Sequence, residues 1–214
     1  MTREVRAPGR LTIRDFDFES KPLWFWYDKP TAVLTSLSWM DSVGGRVDHD
    51  TLTTEIAPLG TRESYTAWLR HIVEVLAAPA TILTGHNIDR FDLPLLQAQL
   101  FRAGLPALPT LLTQDTMRTL KKRDMSASQE SLINYVGLRA VCPIGIPIYK
   151  DHLSISEWED AALGWNDAIL VERPSSDVHG HAHLREVLIE KGYLAPPKSW
   201  HGGRGTMPSS ASLG

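Results

Sequence analysis

The sequence predicts an α/β fold, a mixed β-sheet flanked by helices, in one domain over residues 10–194. Three observations lead there. The N-terminal third alternates apolar and polar side chains with a period of two, as half-buried strands do. The remainder alternates helical patterns with short apolar runs, the layout of helices packed on a sheet. Pro30, Gly44-Gly45, Pro79 and Gly104 stand at the boundaries between these segments.

Residues 11–19 open as a strand, with Leu11, Ile13 and Asp15 on one face and Phe16 and Phe18 on the other. Residues 23–27 are aromatic-rich and 31–39 favour strand, with Pro30 and the 41–46 stretch around Gly44-Gly45 as turns. Tyr65, Trp68, Leu69, Ile72 and Leu76 recur at helical spacing until Pro79 stops the pattern. Residues 80–84 read as a short buried strand, 92–103 as a helix ended by Gly104, and 111–115 as a further strand. A helix over 126–136 has Ser126 or Ser128 as its cap and Gly137 as its terminator. The capping box Ser154-Ile155-Ser156-Glu157 precedes a helix over 158–163. Ser176 and Asp177 are expected to open a final long helix through Leu188, closed near Lys191-Gly192. Residues 1–9 and 195–214 are expected to be flexible, because their composition buries too little apolar area to offset ordering.

Composition excludes several classes. The 214 residues hold 22 Lys plus Arg against 25 Asp plus Glu, a formal charge of −3, with 43% apolar residues. Such a chain buries a core without staples. The single cysteine, Cys142, excludes an internal disulfide framework and a Cys-rich zinc site. No apolar run approaches the roughly 20 residues that span a bilayer, and the first residues lead into no apolar signal region. A cytoplasmic protein with no membrane partner is therefore expected. The lack of a basic excess argues against coating nucleic acid by bulk charge, and leaves a local site as the way to bind it.

Asp17 and Glu19 stand two apart on a predicted strand, so both project from one face. Adjacent carboxylates raise one another's pKa and oppose burial, and a hard divalent cation relieves that cost by taking oxygen ligands. Alone, the pair equally suits a solvated strand. A second acidic segment, Gly85-His86-Asn87-Ile88-Asp89-Arg90-Phe91-Asp92, follows an apolar strand and opens a helix. There Asn87 can cap the turn and Asp92 the helix, roles compatible with holding a metal.

Asp17-x-Glu19 followed by Asn87-x-x-x-Phe91-Asp92 resembles the first two motifs of the DEDD 3′–5′ exonucleases of the ribonuclease H-like superfamily. The Asn-x-x-x-Phe-Asp form is closest to the proofreading domains of B-family DNA polymerases. The resemblance implies a ribonuclease H-like fold and hydrolysis of single-stranded DNA, or less readily RNA, from a 3′ end. It implies two divalent ions, Mg²⁺ or Mn²⁺, held by Asp17, Glu19, Asp92 and a fourth acid. Asn87 would orient backbone and substrate, with Phe91 beside it. It further implies a stand-alone nuclease of a phage or bacterium. Two rivals share the fold: a catalytically weak or silent nucleic-acid-binding module, and a resolvase-type endonuclease.

By the same resemblance the fourth acid is Asp177, which leads the longer predicted helix, with Asp167 as its competitor. The family places Tyr four residues before this Asp, or His five before, to position or deprotonate the attacking water. This sequence has Arg173 and Glu172 there, and Leu163 and Ala162 before Asp167. Arginine cannot act as a base at neutral pH. Either the metal chemistry suffices and Arg173 clamps phosphate, or the chain is slow or inactive. His181, one turn beyond Asp177, is a candidate substitute.

His179 and His183 stand at i, i+4, a spacing that chelates zinc on a helix, but the sequence shows no third ligand. A polar helix face beside an acidic site is the preferred reading. Arg118, Lys121, Lys122 and Arg123 form a basic run, either a solvated helix end or a hold on substrate phosphates, with Arg90 and Lys150 in support. Of seven tryptophans, Trp39, Trp68 and Trp158 are expected in the core. Trp24 and Trp26 could stack on a terminal base, though core or edge-strand roles are preferred.

Overall fold

The computed structural model describes residues 11–21, 33–43, 46–58, 60–79, 81–121, 129, 132 and 167–202. Among these, seven strands form one mixed sheet: β1 (Thr12–Lys21), β2 (Val33–Val43), β3 (Arg46–Val47), β4 (Thr53–Ile56), β5 (Thr81–Gly85), β6 (Leu111–Asp115) and β7 (Lys198–Trp200). Their order is β3-β2-β1-β5-β6-β7, with β4 also paired to β2. β1 is central, antiparallel to β2 and parallel to β5, and β5 is parallel to β6.

Four helices have their bounds among the described residues: α1 (Arg62–Leu76), α2 (Asp92–Ala103), α3 (Thr116–Lys121) and α4 (Asp167–Glu190). Thr61 caps α1 by accepting the Ser64 N–H, and Trp68, Leu69, Ile72 and Leu76 form its buried stripe. α2 stops where Gly104 takes a left-handed φ of 71°. α1 and α2 pack on the face of the sheet that presents Phe16 and Phe18, which closes the main core with Trp200. α4 crosses the opposite face, over β1, β2 and β4. Small buried hydroxyl residues on β2, among them Ser38 and Ser42, let that helix approach closely, and Ser175 of α4 lies 2.6 Å from Thr54 Oγ1 and 3.4 Å from Ser38 Oγ.

Two sequence expectations are corrected here. Residues 198–200 are not part of a flexible tail: they form β7, antiparallel to β6, and Trp200 is buried against the core. One indole at the end of a polar stretch provides the apolar area that composition, averaged over 195–214, conceals. The last helix begins at Asp167, ten residues before the expected start at Ser176 and Asp177, and Pro174 lies inside it. Proline removes one rung of the helix ladder, which makes a start beyond it the local expectation. Ser175 Oγ donates to the Val171 carbonyl at 2.6 Å beside that break, and packing on the sheet carries the helix through. The 1–9 segment, residues 23–27, the 154–163 segment, Trp158 and most of the 126–136 helix lie outside the described residues, although Gln129 and Leu132 are helical. Among the described residues no helix is long and apolar enough to cross a membrane.

Gly85 ends β5 where a Cβ would collide with Ile88 and would stand 2.8 Å from the Phe16 carbonyl oxygen. Gly85→Ala must push β5 away from β1, and a loss of about 1–3 kcal/mol in urea unfolding is expected.

Candidate active site

The face of β1 that meets α4 presents three carboxylates, Asp15, Asp17 and Glu19. Period-two geometry puts them there, and α4 answers each in turn. Asp15 is fully buried: Arg185 donates to it through Nε at 3.0 Å and Nη2 at 2.8 Å, and His181 Nδ1 lies 2.7 Å away. Although burial works against the anion, Arg185 and His181 hold the Asp15 pKa below its usual value. Two turns nearer the helix start, one carboxylate oxygen from each of Asp17, Glu19 and Asp177 lies within 4.8 Å of the others. Arg173 Nε donates to Glu19 Oε1 at 2.8 Å. Burial opposes the guanidinium charge, but Glu19, Asp177 and Asp17 around it raise its pKa further.

Asp92 arrives from the other face. The β1–β5 ladder ends at Asp15 and Thr84, so the Phe18 N–H lies beyond its reach, and Asp92 Oδ1 accepts it at 3.1 Å. Asp92 is 1% exposed in the first turn of α2. Burial, then the charges of Asp115 and Glu19, push its pKa up to about 7. The turn from β5 into α2 is shaped by Asp115, an acid that sequence reasoning missed. Its carboxylate accepts the backbone N–H groups of Asn87, Asp89 and Arg118, each at 3.1 Å. Asn87 takes a left-handed φ of 74°, and its carbonyl accepts from Arg90 and Phe91. Phe91 precedes α2 and packs, half-buried, against the main core.

The structure thus brings Asp17, Glu19 and Asp177 together with Arg173, and places Asp92, which is not one of that group of three, where it feels the charge of Glu19. Asp167 is the first residue of α4, about 15 Å along the helix from Asp177. His181 does not reach the acids at 17, 19 and 177 as a substitute base. Its Nδ1 is taken by Asp15 and its Nε2 lies 3.1 Å from Thr116 Oγ1, with 2% exposure. Asn87, Arg90, Arg118 and Lys121 line a cavity of about 610 Å³ with Lys198 and Trp200, and its described lining includes none of the four acids. Arg118 and Lys198 there approach Asp89 at 3.6 and 2.5 Å. Lys122, Arg123, Lys150, Trp24 and Trp26 lie outside the described residues.

Three carboxylates of this kind form a hard-oxygen donor set, which suits Mg²⁺ or Mn²⁺. A second group is built of nitrogen. His49, in the 3-10 turn His49–Thr51 between β3 and β4, joins His179 and His183, so the third ligand absent from the local sequence comes from 130 residues upstream of His179. Burial, then His183 and His49, push the His179 pKa down to about 4.

No protein-family model and no curated protein matches the chain. Among solved structures, the family B DNA polymerase from the hyperthermophilic archaeon Pyrobaculum calidifontis superposes with a TM-score of 0.61 at 15% identity. The match covers 85% of this chain and 25% of that one, so the chain spans about a quarter of the polymerase's length. Exonuclease I aligns over 86% of this chain and 45% of its own at 16% identity, with a TM-score of 0.48, too low to bear on the fold. The fold is the ribonuclease H-like mixed sheet flanked by helices.

Two outcomes are expected. Arg185→Leu strands the buried Asp15 carboxylate and costs about 3–5 kcal/mol in urea unfolding. A carboxyl with a higher pKa folded than unfolded keeps its proton longer in the native state, so the contribution of Asp92 to the stability of ion-free protein falls as pH rises from about 4 through 7. Asp92→Asn removes that contribution, read as the difference between wild type and variant in chemical denaturation in chelator at pH 5 and pH 8.

Proposed function

We propose that this chain is a metal-dependent 3′–5′ exonuclease that hydrolyses single-stranded DNA, with RNA as a less favoured substrate. The observation that carries the reading is the convergence of Asp177 with Asp17 and Glu19, far from it in sequence, to within 4.8 Å, with Asp92 in the field of Glu19. Those are the four acids that the exonuclease-motif resemblance implies, on a fold like that of part of a B-family polymerase. Two divalent ions, Mg²⁺ or Mn²⁺, would supply activation of water and stabilisation of charge on the scissile phosphate and the leaving 3′ oxygen. Asp17, Glu19 and Asp177 offer oxygen ligands on one side, and Asp92 offers its second oxygen while the first stays on the Phe18 N–H. Arg173 provides a cation beside these acids. Its guanidinium rests on Glu19 and can pass to a substrate phosphate, which it matches as a fork. The cleft around Asn87, Arg118 and Lys121 suits the phosphates of the strand behind the cleavage point.

The Arg173–Glu19 pair also favours a second reading, a weak or silent nucleic-acid-binding module, because a cation held by a ligand acid competes with metal. With 5′-labelled single strands and Mn²⁺, the exonuclease reading expects a ladder that shortens from the 3′ end and is lost in Asp17→Ala plus Asp92→Ala. A few fixed internal cuts would instead indicate a resolvase-type endonuclease. Binding with no cleavage, unchanged in the double variant, would support the silent module. Arg173→Tyr separates the roles of that side chain: if the missing base limits turnover, the rate rises by up to about 100-fold. A large drop assigns Arg173 to phosphate binding.

A further inference from the structure

Beyond Asp177, two imidazoles of α4, His179 and His183, meet that of His49 from the turn between β3 and β4. The His49–His179, His49–His183 and His179–His183 ring centroids are 4.6, 5.6 and 4.9 Å apart, and one ring nitrogen from each lies within 4.8 Å of the others. His179 is fully buried, yet neither of its ring nitrogens has a hydrogen-bond partner among the described residues, and His49 Nδ1 lacks one too. Buried polar atoms are ordinarily paired, so unpaired imidazole nitrogens on two adjoining rings need an explanation. Val178 and Ala182, beside these histidines on α4, form a small buried apolar cluster with Met40, with Val47 and Leu52 packed on it, while the carboxylates of Asp15 and Glu186 act on the rings. The third ligand is well anchored. The Asp48 N–H donates to the Asp41 carbonyl at 3.1 Å, and Thr51 Oγ1 accepts the Asp41 N–H at 2.8 Å, which fixes the His49 turn to β2.

We infer that His49, His179 and His183 form a binding site for a divalent transition-metal ion, Zn²⁺ by preference, that clamps the β3–β4 connection to α4. Imidazole nitrogen suits Zn²⁺ and discriminates against Mg²⁺, so this site and the carboxylate site select different ions. Tetrahedral Zn–N bonds of about 2.0–2.1 Å bring ligating nitrogens to about 3.3 Å from one another, a contraction that side-chain rotation supplies. Glu186 Oε2 lies 3.5 Å from His183 Nδ1, where it orients that ring and leaves Nε2 for the metal. Three protein ligands leave the fourth position to water. The inference does not depend on nuclease activity, since no residue is common to the two sites.

The test uses Co²⁺ as a spectroscopic probe on the full chain, freed of metal by chelator. Four-coordinate Co²⁺ on imidazoles absorbs visible light far more strongly than six-coordinate Co²⁺ on carboxylates. One equivalent of strongly absorbing Co²⁺ is expected, displaced by one equivalent of Zn²⁺, with a raised melting temperature. His183→Gln, at a partly exposed position, should weaken Zn²⁺ by more than about 100-fold, beyond the loss typical of an outer-shell change. Asp17→Asn should leave the signal intact. His49→Gln, on a turn outside the helix, serves as the second ligand variant if His183→Gln fails to fold. Absence of the absorption, its survival in the folded ligand variants, or its loss in Asp17→Asn would overturn the assignment.

Discussion

β1 presents three carboxylates on one face, and a helix covers that face. A charge taken out of water must find a partner, so whatever packs there has to answer each acid in place. α4 does this along its length. Arg185 neutralises Asp15, with His181 Nδ1 against the same carboxylate, Arg173 takes Glu19, and Asp177 brings a further carboxylate to Asp17. The buried pair at one end holds helix and strand in register, and register is what allows the acids at the other end to converge. The charge that remains there is suited to an exchangeable cation, in contrast to the permanent guanidinium on Asp15.

The second support comes from the parallel strands. β5 stops opposite Asp15, short of the end of β1, and the chain then turns tightly enough that only glycine fits at position 85. Asp115, at the end of β6, ties down two backbone N–H groups of that turn and a third in α3, which aims α2 so that its first acid meets the uncovered Phe18 N–H. Asp92 thereby holds the strand end with one oxygen and faces Glu19 from a largely desolvated position. The cost of burying it appears as its raised pKa. Likewise, Gly180 and Ala182 between the histidines of α4 are small, which lets the helix lie close to the strands while His179 and His183 meet His49 across it.

Much of this was legible in the sequence because it is local. Period two put Asp17 and Glu19 on one face, the 92–103 helix and its Gly104 stop followed from spacing and φ preference, and the Asn87–Asp92 segment stood out as a strand-to-helix turn. The misread elements share a cause. The start of α4 lies ahead of a proline that local rules treat as a boundary, and β7 is a three-residue strand whose one indole is outweighed by polar neighbours. In both, packing against the sheet overrode the local preference.

The sequence by itself determined the fold class, the shared face of Asp17 and Glu19, and the position of Asp92 at a helix start, since each depends on residues within a few positions of one another. Only the tertiary structure decided which late acid meets Asp17, why His181 is bound to Asp15, that Asp115 shapes the turn, and that His49 completes a histidine triad. Those facts depend on pairings between residues tens to more than a hundred positions apart, and side-chain periodicity contains no record of distance across a sheet.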